Sequence, residues 1–181
     1  MIGRAAGGVA MLVAVVACNP SALPTSPSAL IPVGTHQSPL IAVSGRGAGG
    51  VSVTSTPIPE GSMRVDIRLV VADLAPNSSF VVQRAPESGR DKSTDGVCQR
   101  AQGLSPWSAT DPAAPAFLTF PLNGVSAVLT TDAGGRGSLT FEFRAPTISA
   151  GTVFDVMFRI VDNETAPSIE LRSGCFQVTV R

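Results

Sequence analysis

The chain has 181 residues, with 13 basic and 13 acidic side chains and a formal net charge of zero. This length suits one domain with a short additional segment. Lys92 is the only lysine and the basic residues form no run, so the electrostatic footprint of a nucleic-acid-binding protein is missing. The chain contains 18 glycines and 15 prolines, and only 14% of its residues are charged, which favours strands and turns over helices.

Residues 1–17 are predicted to be an export signal peptide. Arg4 gives a positive start, Ala5–Ala17 is an apolar stretch, and small residues stand at its end. The stretch is shorter than the roughly 20 residues that a helix needs to cross a hydrocarbon core. The pattern therefore predicts export rather than a permanent transmembrane span.

The residues at the end of this signal, Val15-Val16-Ala17-Cys18, resemble the lipobox of bacterial lipoproteins. The resemblance implies that Cys18 becomes the mature N-terminus and carries a diacylglyceryl group on its sulfur. Two or three acyl chains hold a protein stably on a membrane. We therefore expect an extracytoplasmic protein, lipid-anchored through Cys18 to a bacterial membrane and facing the periplasm or the cell surface. Ordinary signal cleavage after Ala17, without a lipid, is the alternative.

Residues 18–46 are predicted to be a flexible linker. They contain several prolines among serine, threonine, glycine and alanine, and such a segment buries too little apolar surface to offset its ordering entropy. Leu40-Ile41-Ala42-Val43 is apolar enough to form a short docking strand, so the domain could start anywhere between Ser38 and Gly49. We place the folded domain at residues 47–181.

Clean alternation of apolar and polar residues predicts strands along this domain. Ser62–Leu74 is the clearest, and Phe80–Arg84 returns after the turn Ala75–Ser79. A glycine-rich turn at 132–137 joins two β-rich runs and predicts a hairpin. Further strands are expected at Phe154–Ile160 and Phe176–Val180, and weaker ones at Gly50–Ser55, Val97–Arg100 and Phe117–Phe120.

Eight or nine short strands joined by glycine and proline turns predict an all-β fold, an antiparallel β-sandwich. In general pattern the domain resembles immunoglobulin-like modules. The tryptophan signature of antibody domains does not map onto it, because Trp107 lies in a predicted loop after Cys98.

The three cysteines divide into a lipid carrier and a pair. If Cys18 carries the lipid, Cys98 and Cys175 remain as an even pair in an exported domain, where disulfides persist. We predict that these two are bridged. Two free buried thiols or half of a metal site are the alternatives, although two cysteines without a histidine in the domain make a poor zinc site.

Few residues of the predicted domain carry recognisable chemistry. The only histidine, His36, falls in the predicted linker, which removes Ser–His and Cys–His nucleophile pairs from the domain. The pairs Asp91 with Asp95 and Asp162 with Glu164 could bind Ca²⁺ or act as glycosidase carboxylates, but loop acids of this kind are usually solvated turn residues. We expect no catalytic residue, no metal site and no cofactor.

The polar region 85–115 is the best candidate for a contact surface. Long loops are uncommon in compact domains and are often functional. Trp107 could be an exposed stacking residue beside three arginines, Arg84, Arg90 and Arg100. The alternative favoured by the sequence is that Trp107 folds back as a lid over an open end of the sandwich.

These features predict a membrane-anchored lipoprotein that acts as a non-catalytic binding or structural module in the cell envelope. Its expected partners are the membrane, through the lipid, and an unidentified protein or envelope component, not nucleic acid. A binder of a small ligand or carbohydrate through loops 85–115 is one alternative. An enzyme with a carboxylate-only site, drawing on Glu87, Asp91, Asp95 or Asp111, is the other.

Overall fold

The computed structural model describes residues 35–58, 62–88, 93–103, 116–122 and 125–181. All described residues belong to one compact unit, Ile31–Arg181. Cys18, the predicted signal peptide and the predicted linker up to residue 34 lie outside the described residues.

The described part of the chain is built almost entirely from antiparallel strands, as the sequence predicts. One 3₁₀-helix, Arg100–Gln102, accompanies twelve strands. The strands are β1 (Thr35–Ser44), β2 (Ala48–Thr56), β3 (Ser62–Ala72), β4 (Ser79–Pro86), β5 (Leu118–Thr119), β6 (Pro121–Leu122), β7 (Val125–Ser126), β8 (Val128–Thr130), β9 (Gly137–Ser149), β10 (Val153–Val161), β11 (Glu170–Ser173) and β12 (Phe176–Thr179).

The main sheet nearly closes on itself, which gives a sandwich-like fold around one core. Its strand order is β5-β4-β10-β11-β1-β2-β3-β9, with β12 paired to β10 and β8 paired to β4. A single bridge between Thr131 and Gly137 then connects the end of β8 to the start of β9. The β2–β3–β9 side and the β4–β10–β12 side thus face each other, and their inward residues form one apolar cluster.

Alternation places the core side chains as expected. In β3, Val65, Ile67 and Leu69 are almost fully buried and form register pairs with Phe143, Phe141 and Leu139 of β9. Burial of such side chains is the main favourable term in folding. The predicted inward faces of β10 and β12 are also buried, at Phe154, Val156, Phe158, Ile160 and Val178.

The predicted boundary between linker and domain is wrong for residues 35–44. These residues form β1, which pairs with β2 on one side and with β11 on the other. Leu40 is 1% exposed. Because β1 fills the place between β2 and β11, its ladder hydrogen bonds and the burial of Leu40 outweigh the poor strand propensity of Pro39 and its polar neighbours. His36 accordingly lies on β1, not in a linker.

Two further sequence predictions are corrected. The predicted strand Val97–Arg100 is absent; the chain turns there instead, because Gly96 has a positive φ of 79° and the Asp95 carboxylate accepts a hydrogen bond from the Val97 amide. Alternation along the predicted strand Phe154–Ile160 directs Asp155 away from the core and towards solvent, yet Asp155 is 0% exposed. The segment around Gly96 covers it, since the Gly96 amide donates to the Asp155 Oδ2 atom at 2.7 Å.

Candidate binding cavity

The two ends of the sandwich differ, and a cavity of about 430 Å³ lies at the less closed end. Near the Thr131–Gly137 bridge, β4 pairs with β8 and the two sides of the sandwich are joined. Towards the C-terminal end of β4, the described residues of this strand pair with β5 at Gln83 and Arg84 alone. Beyond the Thr131–Gly137 bridge, β9 pairs with β3 and with no other strand among the described residues. The two sides therefore separate, and the space between them is the cavity.

Apolar side chains from both sides form the walls of the cavity. They include Met63, Val65, Ala145, Phe154, Val156 and Val178. Phe120 lies at the inner end, where its ring makes edge contacts with Phe141 and Phe143 at 5.2 Å and stacks on Phe158 at 5.6 Å. The Phe120 amide donates to the Val82 carbonyl, so backbone bonding holds this ring in place. The volume falls in the range of small-molecule sites, roughly 300–1,000 Å³.

Arg84, one of the predicted contact residues, lines this cavity. Its guanidinium carbon lies 4.3 Å from the centre of the Phe120 ring and 4.4 Å from that of Phe143. Its Nη1 atom donates to the Thr119 carbonyl at 3.0 Å. These contacts hold the cation by cation–π attraction and one hydrogen bond. Within the described ranges no carboxylate lies at ion-pair distance from it.

Arg100, a second predicted contact residue, lines the same cavity from the 3₁₀-helix. Its Nη1 atom donates to the Pro86 carbonyl at 3.1 Å. Burial and the positive charge of Arg100 lower the pKa of Arg84 to about 10, so Arg84 stays charged at neutral pH. Three guanidinium groups thus border the apolar space, because Arg144 also lines it, ion-paired with Glu142 at 2.6 Å. The other predicted contact residues, Arg90 and Trp107, lie outside the described residues.

The 3₁₀-helix that carries Arg100 rests on a buried carboxylate. Glu87 is 0% exposed, and its Oε1 atom accepts a hydrogen bond from the Arg100 amide at 2.7 Å. Its Oε2 atom is buried without a hydrogen-bond partner, as is the Oδ1 atom of Asp155. Burial raises the pKa of Glu87, and the nearby charges of Asp155 and Asp95 add to the shift, which the Arg100 amide opposes.

The predicted disulfide pair lies against the same region. The sulfur atoms of Cys98 and Cys175 are 2.16 Å apart. Cys98 belongs to a small apolar cluster on the outer side of β4 and β10, with Ala85 and Ala101 and with Phe117 and Met157 packed against it. The pair therefore ties the segment 93–103, including Arg100, to the start of β12.

The acidic pairs considered for Ca²⁺ or catalysis are not assembled into a site in the described residues. Asp162 Oδ1 accepts the amides of Ser168 and Ile169, and Glu164 accepts the Thr119 hydroxyl. These are turn and loop contacts. Within the ranges that the structure describes, no group of three His, Cys, Asp or Glu residues could hold a metal ion. Asp91 and Asp111 lie outside those ranges, and Glu87 and Asp155 are fully buried.

Sequence reasoning found Arg84 and Arg100 but missed the apolar half of the site. Phe120 and Phe143 were predicted as ordinary strand residues, and nothing local marks their rings as the partners of Arg84. Glu87 was considered only as a possible loop acid. Its position directly after a strand was the one available signal that it could be buried.

In comparisons with known proteins, no family model, no curated protein and no solved structure matches the chain. In the described residues, no helix has both the length and the apolar character needed to cross a membrane.

Proposed function

We propose that this protein is an extracytoplasmic, lipid-anchored and non-catalytic binding module that holds a small apolar ligand in the cavity between β4 and β9. The observation that carries the proposal is the cavity itself, about 430 Å³ of space walled by apolar side chains from both sides of the sandwich. The space is partly open to solvent, and clefts of this volume with mostly apolar walls are typical of small-molecule sites.

The chemistry of the walls supports an apolar ligand over a carbohydrate. Valine, methionine, alanine and phenylalanine side chains form most of the lining, and the polar side chains are Ser88, Thr147 and three arginines, Arg84, Arg100 and Arg144. Pockets for small apolar molecules have this composition. A buried sugar would leave most of its hydroxyl groups without partners here, at a cost of roughly 1–3 kcal/mol for each group.

The anchoring part of the proposal is supported by the signal-like segment and by the residues Val15–Cys18. A lipid at Cys18 would hold the domain near a bilayer on the stretch between residue 18 and β1. An apolar ligand is sparingly soluble in water, so a domain kept close to a membrane is well suited to receive or deliver one.

Binding of a neutral fluorescent dye tests the cavity. N-phenyl-1-naphthylamine should bind the purified domain with one site, and Ala145→Phe should weaken binding at least about tenfold, because the new ring would occupy space inside the cavity. Ala48→Phe is the matched control, because Ala48 is exposed on β2 and should leave binding unchanged. Equal loss in both variants, or no dye binding by the native protein, would refute the cavity function.

The anchor is tested separately in a bacterial host that processes lipoproteins. The native chain should fractionate with membranes, and mass spectrometry of its N-terminal peptide should show a diacylglyceryl adduct on Cys18. Cys18→Ala should release the protein into the soluble extracytoplasmic fraction. An unmodified N-terminus at residue 18 in the native protein would contradict the proposal.

A further inference from the structure

We infer that the ligand is an amphipathic anion whose head group pairs with Arg84 and Arg100 while its apolar body fills the cavity. This inference rests on the proposed function, since it assigns the chemical class of the molecule bound at the same site. It is carried by the two cations at the edge of an apolar space and by the contacts that hold the first of them.

Arg84 is positioned in a way that leaves most of its binding capacity for a ligand. A guanidinium carries five N–H donors, and in the described residues one donor, on Nη1, reaches a protein acceptor, the Thr119 carbonyl. Phe120 and Phe143 contact the group from one side, since their ring centres lie 4.3 and 4.4 Å from its central carbon and 5.2 Å from each other. The remaining donors of Arg84 are therefore available to an acceptor in the cavity.

The second cation makes an anion favourable at this place. Arg100 lines the same cavity and acts on Arg84 as a like charge, so the two guanidinium groups repel each other where Arg84 is partly buried. An anion placed between them would remove this repulsion and accept charge-assisted hydrogen bonds, which are stronger than neutral ones. None of the described residues that line the cavity carries a negative charge.

The apolar walls decide what the rest of the ligand must be. Beyond the two arginines the cavity continues between Met63 and Val65 on one side and Phe154, Val156 and Val178 on the other. A small inorganic anion would leave this surface unfilled, and a neutral hydrocarbon would add no acceptor for the donors of Arg84 that reach none among the described residues. A molecule with an anionic head and a hydrocarbon or aromatic body satisfies both parts.

Three probes of equal chain length test the head group. Decanoate, decanol and decyltrimethylammonium share one apolar tail and differ in charge, and each displaces the neutral dye if it enters the cavity. We expect decanoate to displace it at a concentration at least about tenfold lower than decanol, and the cation to be the weakest, because only the carboxylate forms charge-assisted bonds with the arginines.

Variants assign the preference to the arginine. Arg84→Gln should bring decanoate close to decanol while leaving decanol little changed, and Arg136→Gln, on the exposed turn after β8, is the matched control that should preserve the preference. Should Arg84→Gln fail to fold, the three-probe comparison on the native protein still decides.

The outcomes separate the two proposals. Equal affinity of the native protein for decanoate and decanol, with the dye still bound, would overturn the anion inference and leave the apolar cavity standing. If Arg84→Gln still prefers decanoate over decanol as strongly as the native protein does, the assignment of the anionic head group to Arg84 is overturned. Failure of both the dye and all three probes to bind would overturn the proposed function itself.

Discussion

The end of the sandwich at the β8–β9 turn and the end at the cavity are held together by different means. At the first end backbone bonds tie the turns to each other: Leu74 donates to the Gly135 carbonyl, and Asn77 donates to that of Asp132. The Thr131 hydroxyl donates to the Ala75 carbonyl at 2.6 Å. The fit is close, because a Cβ atom on Gly135, whose φ is 71°, would lie 2.3 Å from the Leu74 carbonyl oxygen.

The cavity end lacks this closure and depends on other contacts. The segments around the cavity are held by the Cys98–Cys175 pair, by the buried Glu87 and by the cation–π contacts of Arg84 with two phenylalanines. Side-chain contacts of this kind can secure a loop without filling the space beneath it. The comparison teaches that the cavity lies beyond the point where β8 and the Thr131–Gly137 bridge connect β4 to β9. The charged groups Arg84 and Arg100 lie at this same end.

The largest expected effect concerns the disulfide. Replacing Cys98 and Cys175 together by alanine should lower the free energy of unfolding by about 4 kcal/mol, because the bond closes a loop spanning a separation of 77 residues in the unfolded chain. Urea denaturation measures the change. Hydrogen exchange should show the amides of 93–103 losing protection before those of 128–137, and uniform loss at both ends would contradict the proposed division between them.

A smaller effect is expected from truncating one core side chain at each end. Leu129→Ala, at the closed end where Leu129 is 0% exposed, should cost about 3 kcal/mol, whereas Met63→Ala should cost about 2 kcal/mol or less. Met63 borders existing empty space, so its side chain has fewer neighbours to lose. Matched denaturation curves test this, and a larger cost for Met63→Ala would mean that the cavity end is packed as tightly as the closed end.

The smallest expected effect is the pH dependence due to Glu87. Because its pKa is raised in the folded protein, the folded state holds this proton more tightly than the unfolded chain. The contribution of Glu87 to the free energy of unfolding is therefore full below the ordinary glutamate pKa, and it is lost as pH rises through the raised pKa. Glu87→Gln should remove this decline and make the protein relatively more stable towards neutral pH.

Thermal unfolding measured from pH 4 to pH 8 tests the Glu87 prediction. Glu164→Gln, at an exposed position, is the control and should follow the native curve. If the curves of the native protein and Glu87→Gln remain parallel over this range, Glu87 does not titrate as its burial requires.

Much of the strand content and the Cys98–Cys175 pair could be predicted from the sequence. The alternation in 62–74 and 139–143 predicts two of the longest strands, and assigning Cys18 to a lipid leaves Cys98 and Cys175 as the predicted pair. Local pattern was insufficient for β1, whose residues become a strand only because β2 and β11 flank them. It also failed for Val97–Arg100, where a positive φ and an aspartate turn outweigh β propensity.

The candidate site, like the fold, could be predicted only in part from the sequence. Arg84 and Arg100 were selected as possible neighbours of Trp107 in the polar region 85–115, but their shared cavity depends on residues distant in sequence. Arg84 and Phe143 belong to strands that no ladder joins, and a pattern with a period of two residues carries no information about which side chains meet across a core.

The sequence by itself determined that this protein is an all-β domain with a cross-linked pair of cysteines, because side-chain alternation and cysteine count are local or compositional properties. Only the tertiary structure decided where the sheet closes and where it stays open, because closure depends on which strands become neighbours after the chain has folded. The apolar cavity, the two arginines beside it and the buried carboxylate beneath them all follow from that long-range arrangement.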